Sequence, residues 1–233
     1  MIVRALSWNI HKCVGSDQKR CSTRILSTIK EISPDIAILQ EVDRKVGRKR
    51  ATLPINDLEQ LSGMRAILSE ACPNRSIGWR GNLLLVKPGI VCLKQTNISL
   101  PSLEPRGAVI WELEKDGLSF DAVGMHLGLL GINRRRQVGA IASVIAMKAP
   151  IPTIVAGDSN DWWGKSMEFS VLENVLGSQA IKLKTFPAKK PIFALDRTLA
   201  GRGAHIEDQQ VIRNVTASDH LPLLTEIRID EVS

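Results

Sequence analysis

Runs of consecutive apolar residues, each ending abruptly in polar residues, recur along the chain. Such runs are expected of strands that are buried on both faces. They predict strands at residues 36–39, 83–86, 108–113 and 153–156, and mixed or alternating patterns add strands at 3–9, 118–124 and 223–229. Turn-forming residues at Lys115-Asp116-Gly117 predict that two of these strands form a hairpin.

Apolar positions at helical spacing mark two helices. The first contains Ile25, Leu26, Ile29 and Ile32, and it should stop before Pro34, because proline disfavours helical geometry in the residue that precedes it. The second is predicted at residues 138–147, entered by the basic run 134–136. Polar stretches at 44–56 and 201–211 predict loops. No repeat or linker divides the chain, so residues 1–233 are predicted to form a single domain.

Composition limits the class of protein. Of the 233 residues 44% are apolar and 24% are charged, which is ordinary for a globular protein. The net charge of +7 suits an anionic partner such as a phosphodiester, a phosphoinositide, nucleic acid or anionic lipid, but equally a merely basic surface. None of the four cysteines lies in a C-x-x-C pair, which favours buried thiols. Without a signal peptide or transmembrane segment, we expect a cytoplasmic monomer.

Residues of catalytic type follow the ends of buried strands, among which we also count the stretches Phe193-Ala194-Leu195 before Asp196 and Ala217-Ser218 before Asp219-His220. Strand ends hold side chains on rigid elements around a shared cleft, and burying carboxylates without a metal or hydrogen-bond partner is costly. The pattern therefore predicts one metal-centred site. Taken singly, each residue also has an ordinary interpretation as a turn residue, a loop residue or a structural histidine. The residues are Asn9, Glu41, His126, Asp158, Asn160, Asp196, Asp219 and His220.

The strings around these residues resemble the endonuclease/exonuclease/phosphatase superfamily, which includes deoxyribonuclease I, abasic-site endonucleases, sphingomyelinases and inositol polyphosphate 5-phosphatases. The resemblance covers residues 3 to about 229. It implies an α/β (α+β) fold, a four-layer α/β/β/α sandwich in which two mixed β-sheets pack face to face with helices outside. The strings are Ser7-Trp8-Asn9-Ile10, Leu39-Gln40-Glu41-Val42, Met125-His126-Leu127, Gly157-Asp158-Ser159-Asn160-Asp161, Leu195-Asp196-Arg197 and Ser218-Asp219-His220.

Three further strings are similar to those of a small bacterial branch of hydrolases. They are Asn9-Ile10-His11-Lys12, Glu104-Pro105-Arg106-Gly107 and Thr185-Phe186-Pro187.

The resemblance implies a metal site and an activated water. Glu41 would be the principal ligand of Mg²⁺ or Mn²⁺, aided by Asn9 and Asp219, and an all-oxygen set suits a hard cation that keeps some of its water. Asp158 would orient or deprotonate the attacking water. Asn160 would donate a hydrogen bond to a phosphoryl oxygen.

The same resemblance implies roles for the two histidines and for residues that bind substrate. His220 would contact the scissile phosphate or take the proton of the water, and Asp196 would fix its tautomer. His126 would assist the leaving oxygen. Arg106 would steady the phosphate, unless it is only a surface ion-pair partner. Asn82 is a weaker candidate for binding substrate.

The implied activity is metal-dependent hydrolysis of a phosphodiester, either nucleic acid or a phospholipid headgroup. The basic residues at 44–50 and 134–136 and the pair Trp162-Trp163 are compatible with both substrates. The absence of tyrosine, together with His11 where abasic-site endonucleases carry aspartate, argues against abasic-site repair. A phosphomonoesterase and a non-catalytic binding module that keeps the fold are the alternatives.

Overall fold

The structure is a computed structural model that describes residues 1–44, 51–69, 76–102, 104, 106–164 and 168–231. Most of the basic run 44–50, one of the four cysteines (Cys72) and Pro105 lie outside these residues. The elements of the described part are, in chain order, β1 (Ile2–Asn9), α1 (Ser22–Ile32), β2 (Ile36–Gln40), α2 (Ile55–Ser62), β3 (Arg65–Ile67), β4 (Leu83–Val86), β5 (Ile90–Ser99), β6 (Gly107–Lys115), β7 (Leu118–His126), α3 (Gly131–Met147), β8 (Thr153–Asp158), α4 (Ser170–Leu176), β9 (Asp196–Gly201), β10 (Ala204–Val211) and β11 (Leu223–Ile229).

The strands form two mixed sheets. The first has the order β10-β11-β1-β2-β4-β3, and the second has the order β5-β6-β7-β8-β9. Each contains one parallel pair, β1 with β2 and β7 with β8, while the other neighbours run antiparallel. Both sheets are therefore mixed, as the resemblance implies.

Three apolar clusters separate four layers. The central cluster joins the inner faces of the two sheets and includes Ile38, Val109 and Trp111. A second cluster, with Leu26 of α1 and Leu58 of α2, fills the space between the first sheet and its helices, and a third does the same for α3, α4 and the second sheet. The four-layer sandwich predicted from the sequence is thereby confirmed.

Strand direction places the ends of six strands at one edge of the sandwich. In the first sheet β1 and β2 end there, and the antiparallel β11 begins there. In the second sheet β7 and β8 end side by side, with His126 paired to Asp158, and β9 begins opposite Asp158 at Asp196. The polar residues that follow or precede these strands are thus gathered at one mouth of the fold.

Three sequence predictions of local structure differ from the structure. Residues 201–211 were expected to be a loop, but Ala204–Val211 is a strand paired with β11. It lies at the edge of its sheet, where one face meets water, so its sequence is polar. Helix α3 begins at Gly131 rather than at 138, so the basic run lies inside its first two turns. Of the predicted loop at 44–56, residues 45–50 lie outside the described ranges, and Ile55 and Asn56 belong to α2.

Among the helices of the described ranges, none combines the length and the apolar composition needed to cross a bilayer.

Gly157 is the position where a side chain would disturb the mouth most directly. Its φ of +149° disfavours other residues, and an added Cβ would lie 1.9 Å from the carbonyl oxygen of Met125. We expect Gly157→Ala to lower the free energy of unfolding by about 3 kcal/mol or more, as measured by urea denaturation. At Gly139, inside α3, an added Cβ would meet no heavy atom within 4 Å beyond the backbone of its own helix, so Gly139→Ala should raise stability by about 0.5–1 kcal/mol. Equal effects of the two substitutions would contradict this account.

Candidate active site

The carboxylate of Asp158 lies at the centre of the mouth. Its Oδ1 accepts a hydrogen bond from the backbone N–H of Asn160 at 2.9 Å, and its Oδ2 accepts one from Nδ2 of Asn9 at 2.9 Å. The same Oδ2 lies 3.6 Å from Nε2 of His126 and 3.9 Å from Nε2 of His220. One buried carboxylate therefore faces four of the predicted site residues, contributed by both sheets.

The backbone after β8 fixes this arrangement. Asn160 has a left-handed φ of +50°, which turns the chain back so that its N–H reaches the side chain of Asp158. Its Nδ2 donates to the carbonyl oxygen of Leu127 at 2.9 Å and so ties the loop after β8 to the loop after β7. Ser159 points away from the mouth, where its hydroxyl donates to the carbonyl oxygen of Leu195.

His220 is held by a buried chain of hydrogen bonds. Its Nδ1 donates to Oδ2 of Asp196 at 2.8 Å, and Oγ1 of Thr185 donates to the same oxygen at 2.5 Å. Burial opposes protonation of the imidazole, but the carboxylates of Asp196, Asp158 and Asp219 outweigh it and raise the pKa of His220 to about 10. The ring is thus fixed in one orientation, with Nε2 turned toward Asp158.

His126 has a different partner. A guanidinium nitrogen of Arg106 lies 2.5 Å from Nε2 of His126. Because a guanidinium has no lone pair to offer, Arg106 donates and His126 accepts, which places the proton of a neutral imidazole on Nδ1. A second nitrogen of Arg106 pairs with Glu104 at 2.9 Å. Arg106 is therefore buried between the histidine and a carboxylate, and is not a surface ion-pair partner.

The predicted metal ligands surround the short turn His11–Cys13. The ammonium of Lys12 pairs with Oε2 of Glu41, whose own φ is +59°. The backbone N–H of His11 donates to Oδ1 of Asn9 at 3.0 Å, and its Nδ1 lies 3.5 Å from Oδ2 of Asp219. Glu41, Asn9 and Asp219 thus each contact one of two consecutive residues.

This donor set fits a hard divalent cation. It consists of two carboxylates and a carboxamide oxygen, and the carboxylate side chains remain 14% and 33% exposed in Glu41 and Asp219. Within the described ranges, no group of three or more His, Cys, Asp or Glu side chains is arranged to hold an ion. A cation at Glu41 would therefore take few ligands from the protein and the rest from water and phosphate, as Mg²⁺ commonly does.

A cleft of about 300 Å³ opens beside Glu41 and His126. Arg80 lies over the ring of Trp79, with its guanidinium carbon 5.3 Å from the ring centroid. The charged residues that the described chain contributes to the lining are four cations and three carboxylates, namely Lys12, Arg44, Arg80, Arg106, Glu41, Asp43 and Glu104. Lys12 pairs with Glu41 and Arg106 with Glu104, so the cleft keeps positive charge available for an anion.

Asn82 makes hydrogen bonds to the protein backbone. It is buried, and its Nδ2 donates to the carbonyl oxygens of Gly107 at 3.0 Å and of Trp79 at 3.2 Å. These bonds hold the turn that carries Arg80 against the start of β6. Asn82 is thus placed behind the wall of the cleft, while Arg106 is placed in it.

Several contacts of the site were missed by sequence reasoning. The sequence analysis assigned no role to Lys12, His11 or Thr185, although all three lie in strings typical of the bacterial branch. In the structure they contact Glu41, Asp219 and Asp196, respectively. Those strings were the available signal. Arg80 had no signal beyond its position before Gly81-Asn82.

Comparisons with known proteins agree with this architecture. The family model described as Endonuclease/Exonuclease/phosphatase family matches residues 6–220. The chain is 25% identical to the uncharacterized protein YbhP of Escherichia coli, over 97% of this chain and 96% of YbhP. An endonuclease/exonuclease/phosphatase from Bacteroides vulgatus has a TM-score of 0.76 at 15% identity, covering 99% of this chain and all of the other.

The catalytic domain of human Nocturnin, solved with a bound sulfate anion, has a TM-score of 0.74 at 19% identity. It covers 98% of this chain and 95% of its own. At such low identities these structures support the fold, whereas the match of the family model over most of the chain decides the family. The chain belongs to the Endonuclease/Exonuclease/phosphatase family, whose members hydrolyse phosphoesters.

Proposed function

We propose that the protein is a divalent-metal-dependent phosphodiesterase that hydrolyses its substrate by in-line attack of an activated water. The observation that carries the proposal is the placement of His220, which is oriented by Asp196 and faces Asp158 across 3.9 Å. A histidine and a carboxylate at that separation can both contact one water or phosphoryl oxygen that lies beside them. Membership of a phosphoester-hydrolysing family supports the same chemistry.

Each side chain of the site has a separate role in the proposed reaction. Asp158, with one oxygen anchored by Asn9 and the other by Asn160, orients the attacking water and is the acceptor for its proton. His220 contacts the phosphoryl group through Nε2, and its raised pKa favours the charged form, which stabilises negative charge on phosphoryl oxygens. The Nδ2 of Asn160 has a second hydrogen with which to donate to the same group.

Arg106 and His126 line the cleft beside the mouth. Because His126 accepts from Arg106 through Nε2, the pair presents the guanidinium to the phosphate or to the leaving oxygen. A planar guanidinium matches two phosphoryl oxygens at once. A divalent ion held by Glu41, with Asn9 and Asp219 beside it, would supply additional stabilisation of phosphoryl charge.

The carboxylates nearest His220 favour a diester over a monoester. Asp158, Asp196 and Asp219 all act on His220, and Glu41 borders the adjoining cleft. A monoester is nearly a dianion at neutral pH, whereas a diester carries one negative charge, so the diester suffers less repulsion from these carboxylates. A non-catalytic module is disfavoured, because the full set of acidic and imidazole groups is retained at one mouth.

Hydrolysis of bis-p-nitrophenyl phosphate with Mg²⁺ or Mn²⁺ tests the proposal. We expect metal-dependent turnover, and a fall in kcat of about 10³-fold in His220→Ala and in Glu41→Ala, because each removes a group that stabilises the transition state. His205→Ala is the matched control, since His205 is about half exposed and pairs with Asp230, away from the mouth. Activity unchanged in both site variants would refute the assignment. Turnover of p-nitrophenyl phosphate alone would establish a phosphomonoesterase instead.

Binding of Mn²⁺ at equilibrium tests the proposed ligand separately from activity. The ammonium of Lys12 competes with a cation for the carboxylate of Glu41, so Lys12→Met should lower the Kd for Mn²⁺ roughly tenfold in calorimetric titration. Lys87→Met is the control, because Lys87 pairs with Asp35, a residue outside the site. A Kd that is unchanged or higher in Lys12→Met would show that Glu41 is not the cation ligand.

A further inference from the structure

Large apolar side chains are exposed around the mouth of the site. Trp163 is 81% exposed and Ile132 is 67% exposed. Leu129, Leu130 and Ile192 are each more than half exposed. We call these five residues the apolar rim. Soluble proteins rarely present several large apolar side chains together, and such groups usually mark a contact surface.

The rim residues belong to three segments that are tied to one another and to the site. The amide of Asn160 bonds the carbonyl oxygen of Leu127, which joins the segment of Trp163 to that of Leu129. Trp162 packs edge-on against Phe186 and Phe193, with ring centroids 5.4 and 5.1 Å apart, and this joins it to the hairpin that carries Ile192. Phe186 in turn lies 4.9 Å from the ring of His220.

The charges along two of these segments have one sign, and Asp161 in the segment of Trp163 is buried and paired with Arg197. Residues 127–136 and 180–193 contain no acidic residue. Six of their basic residues are exposed, and they are Arg135, Arg136, Lys182, Lys184, Lys189 and Lys190. The seventh, Arg134, is buried and paired with Glu168. Exposed apolar side chains flanked by cations are the combination that binds an anionic lipid surface, with the side chains inserted between acyl chains and the cations at the headgroups.

We propose that the apolar rim docks the protein onto an anionic membrane surface, so that the mouth of the site opens toward lipid headgroups. Aliphatic side chains distinguish this occupant from a nucleic acid, because four of the five rim residues lack a ring on which a base can stack. Tryptophan is favoured at the interface between headgroup and acyl chain. The inference about the substrate rests on the proposed diesterase activity. The substrate is then a lipid with a phosphodiester headgroup, which the site reaches at the bilayer surface.

Co-sedimentation with lipid vesicles tests docking without reference to catalysis. Vesicles of phosphatidylcholine alone would be compared with vesicles of phosphatidylcholine and phosphatidylglycerol in equal parts. We expect binding to the anionic vesicles, reduced about tenfold in Ile132→Ser and in Trp163→Ser, and reduced by Lys189→Glu combined with Lys190→Glu. Met147→Ser is the matched control, because Met147 is 79% exposed but lies at the end of α3, about 22 Å from Ile132 in the first turn of the same helix.

The outcomes separate docking from catalysis. Equal vesicle binding by wild type and the rim variants would overturn the proposal. The proposal would also be overturned if the rim variants lost binding to single-stranded DNA but kept binding to vesicles. It would likewise be overturned if light scattering showed a dimeric wild type and monomeric rim variants. Hydrolysis of soluble bis-p-nitrophenyl phosphate should be the same in all rim variants, which also verifies their folding. Vesicle binding without hydrolysis of any phosphoester would retain docking and remove the proposed activity.

Discussion

A buried carboxylate at the junction of two sheets is the constraint on which the site depends. Asp158 is almost fully buried, so its charge must be compensated by hydrogen bonds and by nearby imidazoles. Asn160 supplies this from the second sheet, while Asn9 and His220 supply it from the first. The contacts that compensate the charge of Asp158 therefore also hold the two sheets, and the reacting groups on them, in a fixed relative position.

The mouth also contains backbone conformations and a buried carboxylate that are unfavourable for folding. Glu41 and Asn160 adopt left-handed φ values that non-glycine residues seldom adopt, and both carry side chains that the proposed reaction uses. Asp196 is buried with one oxygen that has no hydrogen-bond partner among the described residues. The large apolar clusters between the layers offset these costs and keep the strand ends rigid. Stability is thus concentrated in the layers, and part of the unfavourable geometry lies at their common edge, in the site itself.

Sequence patterns predict those parts of the fold whose environment is uniform. The strand at residues 36–39 and β4 are buried on both faces, and their unbroken apolar runs reveal them. β10 was missed because an edge strand with one wet face has the composition of a loop. Asn9, His126 and Asp158 were predicted from their position at strand ends and do end strands, whereas Asp196 begins β9. The contacts of Lys12 with Glu41 and of Thr185 with Asp196 join separate segments, and no local pattern encodes such contacts.

The central claim is that Asp158 unites the two halves into one hydrolytic centre. The most direct measurement is the kcat of Asp158→Asn with bis-p-nitrophenyl phosphate and Mn²⁺, because asparagine keeps the size of the side chain and removes its charge. We expect a fall in kcat of about 10³-fold in a protein that circular dichroism shows to be folded at the assay temperature, with a lower Tm because His220 loses a charged partner. An Asp158→Asn protein with undiminished kcat would contradict the central claim.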